Sequence, residues 1–199
     1  MSLQKINPRT TVLVLFILLA ALFRLLNTAS TFSSLVNFTP IGAMAIFGGT
    51  YFNTRWKGYL FPLLTLFISD VIMMKLIYPG SGNGLLYSGW YWTYGAFALM
   101  VLIGKYIKKV SFKSVILAAV AAALTHWIIT DFGVWMGGGL DITTGQPYTH
   151  DLPGFIQCYV LAIPFMKNML IGNIIYGSIL FGGFEYLQNR YPVLQVTYA

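Results

Sequence analysis

Charge is what this sequence has least of. Of 199 residues only 9% are Asp, Glu, Lys or Arg, while 57% are hydrophobic. A soluble domain carries about a quarter charged residues. So few ionised groups cannot coat a water-facing surface, which excludes an ordinary soluble globule. Cysteine is nearly absent too. Cys158 stands alone, so no intramolecular disulfide framework exists. With one cysteine and two histidines, a closed structural zinc site lacks ligands. There is no Gly-rich phosphate loop ending in Lys-Ser/Thr, no His-Glu-x-x-His and no nucleophile elbow. ATP hydrolysis by the phosphate-loop route is therefore excluded. The net charge of +7 resides in short basic clusters between apolar stretches, a distribution that argues against a nucleic-acid partner.

What the chain does have is long, continuous apolar runs. Backbone polar groups in lipid must pair internally, so spanning segments are helices or closed barrels, and continuous rather than alternating hydrophobicity selects helices. A span takes about 20 residues. Six candidates meet or approach that length: Thr10–Leu26, Val36–Phe52, Gly58–Ile77, Tyr91–Ile107, Val115–Trp135 and the region Pro153–Leu187. The second is the weakest, holding Asn37, Pro40 and three glycines. The last exceeds one straight span. Its two readings are a tilted or kinked helix, and a short segment that turns at Pro164 into a final helix. No cleavable leader is evident, so the first run reads as a retained helix. The expectation is an all-α, single-domain bundle over residues 1–199, with six transmembrane helices in a lipid bilayer.

The basic residues orient it. Lys5, Arg9, Arg55, Lys57, Lys105, Lys108, Lys109, Lys113 and Arg190 lie in loops or tails. With six spans all of them fall on one side, together with both termini. The positive-inside rule makes that side cytoplasmic, in a bacterial inner membrane. The connections near 27–36, 78–90 and 137–152 carry no Lys or Arg. The second and third of these are rich in glycine and aromatics. They read either as turns with an interfacial aromatic belt or as loops that cap a ligand.

Ionisable residues inside spans are the most informative, since each costs at least about 2.5–3.5 kcal/mol near mid-bilayer. Arg24, Asp70, Lys75 and Asp131 fall in the outer halves of their spans, with Asn37, Gln157 and Cys158 near the same face. Lys167 and Asn168 lie deeper. An outward-facing polar cavity accounts for this convergence. The competing readings are snorkelling of Arg24 and Lys75, and structural pairing of Asp70 and Asp131 with Lys167, Lys75 or Arg24. His126 reads first as a hydrogen-bonded core histidine. Small residues four apart (Ala45 and Gly49, Ala118 and Ala122, Ala119 and Ala123) fit close helix packing, internal or against another subunit.

Several stretches carry a resemblance: Asn37-Phe-Thr-Pro-Ile-Gly-Ala-Met-Ala-Ile-Phe-Gly-Gly, Ser69-Asp70, Asp131-Phe-Gly-Val-Trp135 and Gly154-Phe-Ile-Gln-Cys-Tyr-Val-Leu-Ala-Ile-Pro-Phe165. Together they resemble a family of small multi-pass bacterial membrane proteins. That family is itself similar to the substrate-binding S-components of energy-coupling factor (ECF) vitamin transporters. The resemblance implies a six-helix protein without an ATPase of its own. It implies a vitamin or related ligand, cobalamin among the candidates, held in an outward cavity under the outer loops. It also implies docking to a transmembrane coupling subunit with cytoplasmic ATPases. The first helix has Ala20-Ala21 where S-components often show Ala-x-x-x-Ala.

The sequence therefore leads to the expectation of a non-enzymatic, membrane-embedded binding component for uptake of a small molecule, with no intrinsic cofactor. The candidate ligand-binding residues are Lys167, Asp131, Asp70, Asn37, Arg24, Trp135, Trp90, Trp92, Gln157, Cys158 and Asn168. Lys167 and Asp131 would fix polar groups, the tryptophans would stack, and Cys158 is a candidate ligand to the cobalt of a corrinoid. The alternatives are a structural or assembly protein without ligand, and a membrane enzyme using Cys158 or His126.

Overall fold

The structure, a computed structural model, describes residues 7–29, 37–79 and 84–195. Lys5, Val36 and most of the 27–36 connection lie outside the described residues. Six helices occur in the order α1 (Pro8–Ala29), α2 (Ile41–Tyr51), α3 (Arg55–Leu76), α4 (Trp90–Lys105), α5 (Phe112–Met136) and α6 (Leu152–Arg190), followed by a 3-10 turn, Pro192–Leu194. Four of them (α1, α3, α5 and α6) are long and apolar enough to cross a membrane. They leave large apolar side chains uncovered: Leu15, Leu18, Leu22, Ile68, Leu117, Ile128, Val160 and Ile179 are each at least half exposed. A water-soluble monomer rarely presents apolar surface on this scale. The chain thus has the build of a multi-pass membrane protein.

The second span is where the structure departs from expectation. A span over Val36–Phe52 was expected, but α2 has 11 residues, rising only about 16 Å against a hydrocarbon core of about 30 Å. It is the hub of the bundle. Every residue from Ile41 to Gly49 is buried, as befits a helix that is apolar all round. α2 touches each of the other five helices. Glycines make this close approach feasible. A Cβ on Gly49 would fall 2.0 Å from the Val101 carbonyl oxygen, and one on Gly104 2.1 Å from that of Ile46. The Thr50 hydroxyl bridges the same seam, donating to Gly104 O at 2.9 Å. Pro62 of α3 fills the space over Gly48. The alanine pairs Ala118/Ala122 and Ala119/Ala123 are buried within the chain, so this stripe serves internal packing.

Local chemistry sets the helix starts. Ser111 and Ser114 form a reciprocal capping box at α5, and the Asp151 carboxylate accepts the Gly154 N–H at 2.9 Å to cap α6. Of the two readings of the last region, a turn at Pro164 is not seen: α6 continues through it as one helix of 39 residues, about 58 Å long.

One end of the bundle is basic. Arg9 is buried there, donating to Gln188 Oε1 at 2.5 Å, to Tyr51 O at 3.1 Å and to Leu194 O. Its guanidinium also faces the Phe184 ring at 5.2 Å. These bonds tie the start of α1 to the end of α6, so both described ends of the chain share one side. Lys105 donates to the Arg55 carbonyl at the same end.

Candidate functional site

The polar residues singled out from sequence fall into separate groups. The first joins α1, α3 and α4. Arg24 pairs with Asp70 at 2.5 Å, and Asp70 is fully buried. Arg24 also donates to the Ser69 hydroxyl and to Leu66 O. Tyr94 donates to the second Asp70 oxygen at 2.9 Å. Both carboxylate oxygens are thereby used, and the positive and negative charges cancel inside the bundle. Trp90 sits edge-on to Tyr94 at 5.3 Å, with its own surface 43% exposed. Tyr87 completes the group. Burial, with the Asp70 charge adding to it, pushes its phenol up to about 12.

The second group lies where α5 and α6 meet the connection between them, residues 137–151. That connection is held by many bonds. Asp141 N and Tyr148 N donate to Gln146 O and Gly139 O. The Asp141 carboxylate accepts from Thr143 N at 2.7 Å and from Thr143 Oγ1 at 2.6 Å. Gln157 of α6 donates to the other Asp141 oxygen at 2.6 Å. The Thr143 hydroxyl and backbone bonds hold Asp141 below the usual carboxylate range. The Thr149 hydroxyl and Gly154 N–H do the same for Asp151. Gly138 and Gly145 take positive φ, 70° and 69°, which glycine adopts without steric cost. The segment is a stitched cap rather than a loose loop.

Beneath this cap stands an aromatic wall. Trp135 packs against Phe132, His150 and Phe155 at 5.9, 5.8 and 5.3 Å, and its indole N–H donates to Thr149 O at 2.9 Å. Trp92 lies flat over Gly133, whose added Cβ would meet the ring at 2.3 Å. Cys158, 2% exposed, donates its thiol to the Asp131 carbonyl at 3.5 Å. Tyr148 is buried under the cap. Burial raises its phenol, and the nearby acidic groups Cys158, Asp141 and Asp131 add to it. The side chain of Asp131 is half-buried amid these groups, with no hydrogen-bond or ion-pair partner among the described residues. No cluster of three or more His, Cys, Asp or Glu able to hold a metal occurs among the described residues.

The remaining candidates stand apart. Lys167, expected deep and in need of a partner, is exposed on the flank of α6, and Asn168 beside it is half-buried. Lys75 is exposed in the last turn of α3. Asn37 is exposed with φ at 67°, and its carbonyl accepts the Thr39 N–H at 3.0 Å. His126 stacks edge-on with Phe97 at 5.8 Å and lies 3.3 Å from the Thr130 hydroxyl, in keeping with a hydrogen-bonded core residue. Asn173 is legible in the sequence as polarity within the last apolar run, but it is not among the candidate ligand-binding residues. It is 1% exposed, and both its amide atoms lack a partner among the described residues.

A family model described as a family of unknown function, DUF6580, matches residues 4–194. The chain belongs to this family. Among curated proteins and among solved structures nothing matches it. The match embraces all six helices, so the bundle and both polar groups fall within the family's extent.

Proposed function

We propose that this DUF6580 member is a membrane-embedded binding component for uptake of a small molecule. The ligand is held at the end of α5 and α6 beneath the 137–151 cap, on the face away from the basic end. Asp131 carries the reading. A half-buried carboxylate without a partner, walled by Trp135, Tyr148 and Cys158, is costly unless something answers it. A ligand group that donates hydrogen bonds or bears positive charge would do so, with the rings supplying apolar contact. On this reading α4, and α2 together with the non-helical residues 37–40 that lead into it, complete six passes, and the basic end faces the cytoplasm of a bacterial inner membrane by the positive-inside rule.

The resemblance read from the sequence motifs, to S-components of ECF vitamin transporters, points the same way. It makes a vitamin the first ligand class to try, cobalamin included, and a coupling subunit with ATPases the partner. Because Ala118, Ala119, Ala122 and Ala123 are buried within the chain, such a partner would dock elsewhere.

Native mass spectrometry of protein purified gently from its host membrane tests this. A small-molecule adduct on the wild type, lost in Asp131→Asn, is the expected result. A bare wild-type mass, with no melting shift across a panel of vitamins, would sink it. One observation favours a second reading, a structural membrane protein without ligand: Arg24 and Asp70 neutralise each other completely. On that reading Asp131→Asn stabilises the fold and changes nothing else.

A further inference from the structure

The middle of the bundle holds a second unmet polar demand, on different helices from Asp131. Asn173 stands at the centre of α6, 1% exposed, with neither Oδ1 nor Nδ2 bonded among the described residues. Its amide lies directly over Gly42: a Cβ built there would meet Oδ1 at 2.2 Å and Nδ2 at 2.8 Å. Gly42 is the second residue of α2. The first N–H groups of any helix have no acceptor within it. At α2 no side chain supplies one, since the N-cap is Pro40. In this opening turn the bonded N–H is that of Met44, to Pro40 O at 2.8 Å. Ile41 and Ala43 are 4% and 0% exposed, so bulk water does not reach these N–H groups.

Buried N–H groups at a helix start carry a partial positive charge and form a ready anion site. Short helices beginning inside a membrane bundle serve anionic ligand groups in this way. We propose that the start of α2 and the Asn173 amide together bind a compact monovalent anion, a halide or a carboxylate, inside the bundle. Nδ2 adds a donor to those of the backbone. Compactness follows from the packing. The site has no side chain at 42 or 172, and a Cβ on Gly172 would lie 3.0 Å from Thr39 O. A doubly charged phosphate would pay a far larger desolvation penalty there. The site shares no residue with the Asp131 group and stands whether or not that group binds a ligand.

The test is thermal melting of the purified full chain in detergent, titrating sodium chloride, then sodium formate, against sodium gluconate at constant ionic strength. The expected result is a saturable rise in melting temperature with chloride or formate and none with gluconate. Whichever anion acts identifies halide or carboxylate. Asn173→Leu should abolish the response. Asn173→Asp, which brings its own carboxylate to the same donors, should melt high and independently of added anion. Identical wild-type melts in all three salts overturn the proposal, as does a full anion response in Asn173→Leu. If Asn173→Leu does not fold, the wild-type titration and Asn173→Asp decide the matter alone.

Discussion

Neutralising Asp70 should cost this protein more stability than any other single charge removal. The carboxylate is fully buried and the Arg24 side chain is 10% exposed, so Asp70→Asn leaves a guanidinium without a counter-charge where water cannot reach it. Breaking a buried pair by removing one partner costs about 3–5 kcal/mol. At about 2–4 °C per kcal/mol for a chain of this length, the melting temperature should fall by roughly 6–20 °C. Arg24→Met should cost a similar amount, because it strands the carboxylate with Tyr94 as its remaining partner. The double variant Arg24→Met/Asp70→Leu removes both charges, and replacing a whole buried pair by apolar residues is often neutral or stabilising. It should therefore melt near the wild type, so that the coupling in the double-mutant cycle equals the sum of the two single losses, about 6–10 kcal/mol. Scanning fluorimetry in detergent at two salt concentrations measures this, and the pair should be nearly indifferent to salt. Additive losses in the double variant would refute the reasoning, because they would mean that each residue acts separately.

Other consequences follow from the packing and the cap. Gly104→Val should destabilise by about 1–3 kcal/mol or more, since its side chain would drive into the Ile46 carbonyl; size-exclusion profiles and melting curves report it. The cap should loosen in acid. Asp141 and Asp151 are held below their ordinary range, so their bonds contribute fully above the unfolded carboxylate pKa of about 3.9. That contribution is lost as pH falls through the lower folded values, and amide protection factors in residues 137–151, taken against the unstructured rate at each pH, should fall only there. Protection that already falls near neutrality would contradict the assignment. Cys158, 2% exposed, should resist maleimide in the folded protein and react after denaturation, by intact mass; rapid labelling of the folded protein would place the thiol on an open surface.

Much of the bundle was legible in the residues. Continuous apolar runs fixed the number of helices and most of their ends to within a few positions, because a backbone in lipid has few alternatives. Basic residues clustered between runs foretold that one end would be positive. Two things were not legible. Length and hydropathy cannot separate a short helix buried on all sides from a span facing lipid, since both are apolar. α2 is set apart by glycines whose role appears only when Pro62 and Val101 are brought against Gly48 and Gly49, and Gly104 of α4 against Ile46. Nor does spacing choose partners for buried polar groups. Among the cations near Asp70, Arg24 reaches it because α1 and α3 lie side by side, while Lys167 and Lys75 point outward. Convergence on a single cavity was expected from depth alone, yet helix rotation about the bundle axis divides the polar residues among different interfaces. Sequence determines how far along its helix a residue stands. Which neighbour it meets is decided by packing, because that depends on the facing of every other helix at once.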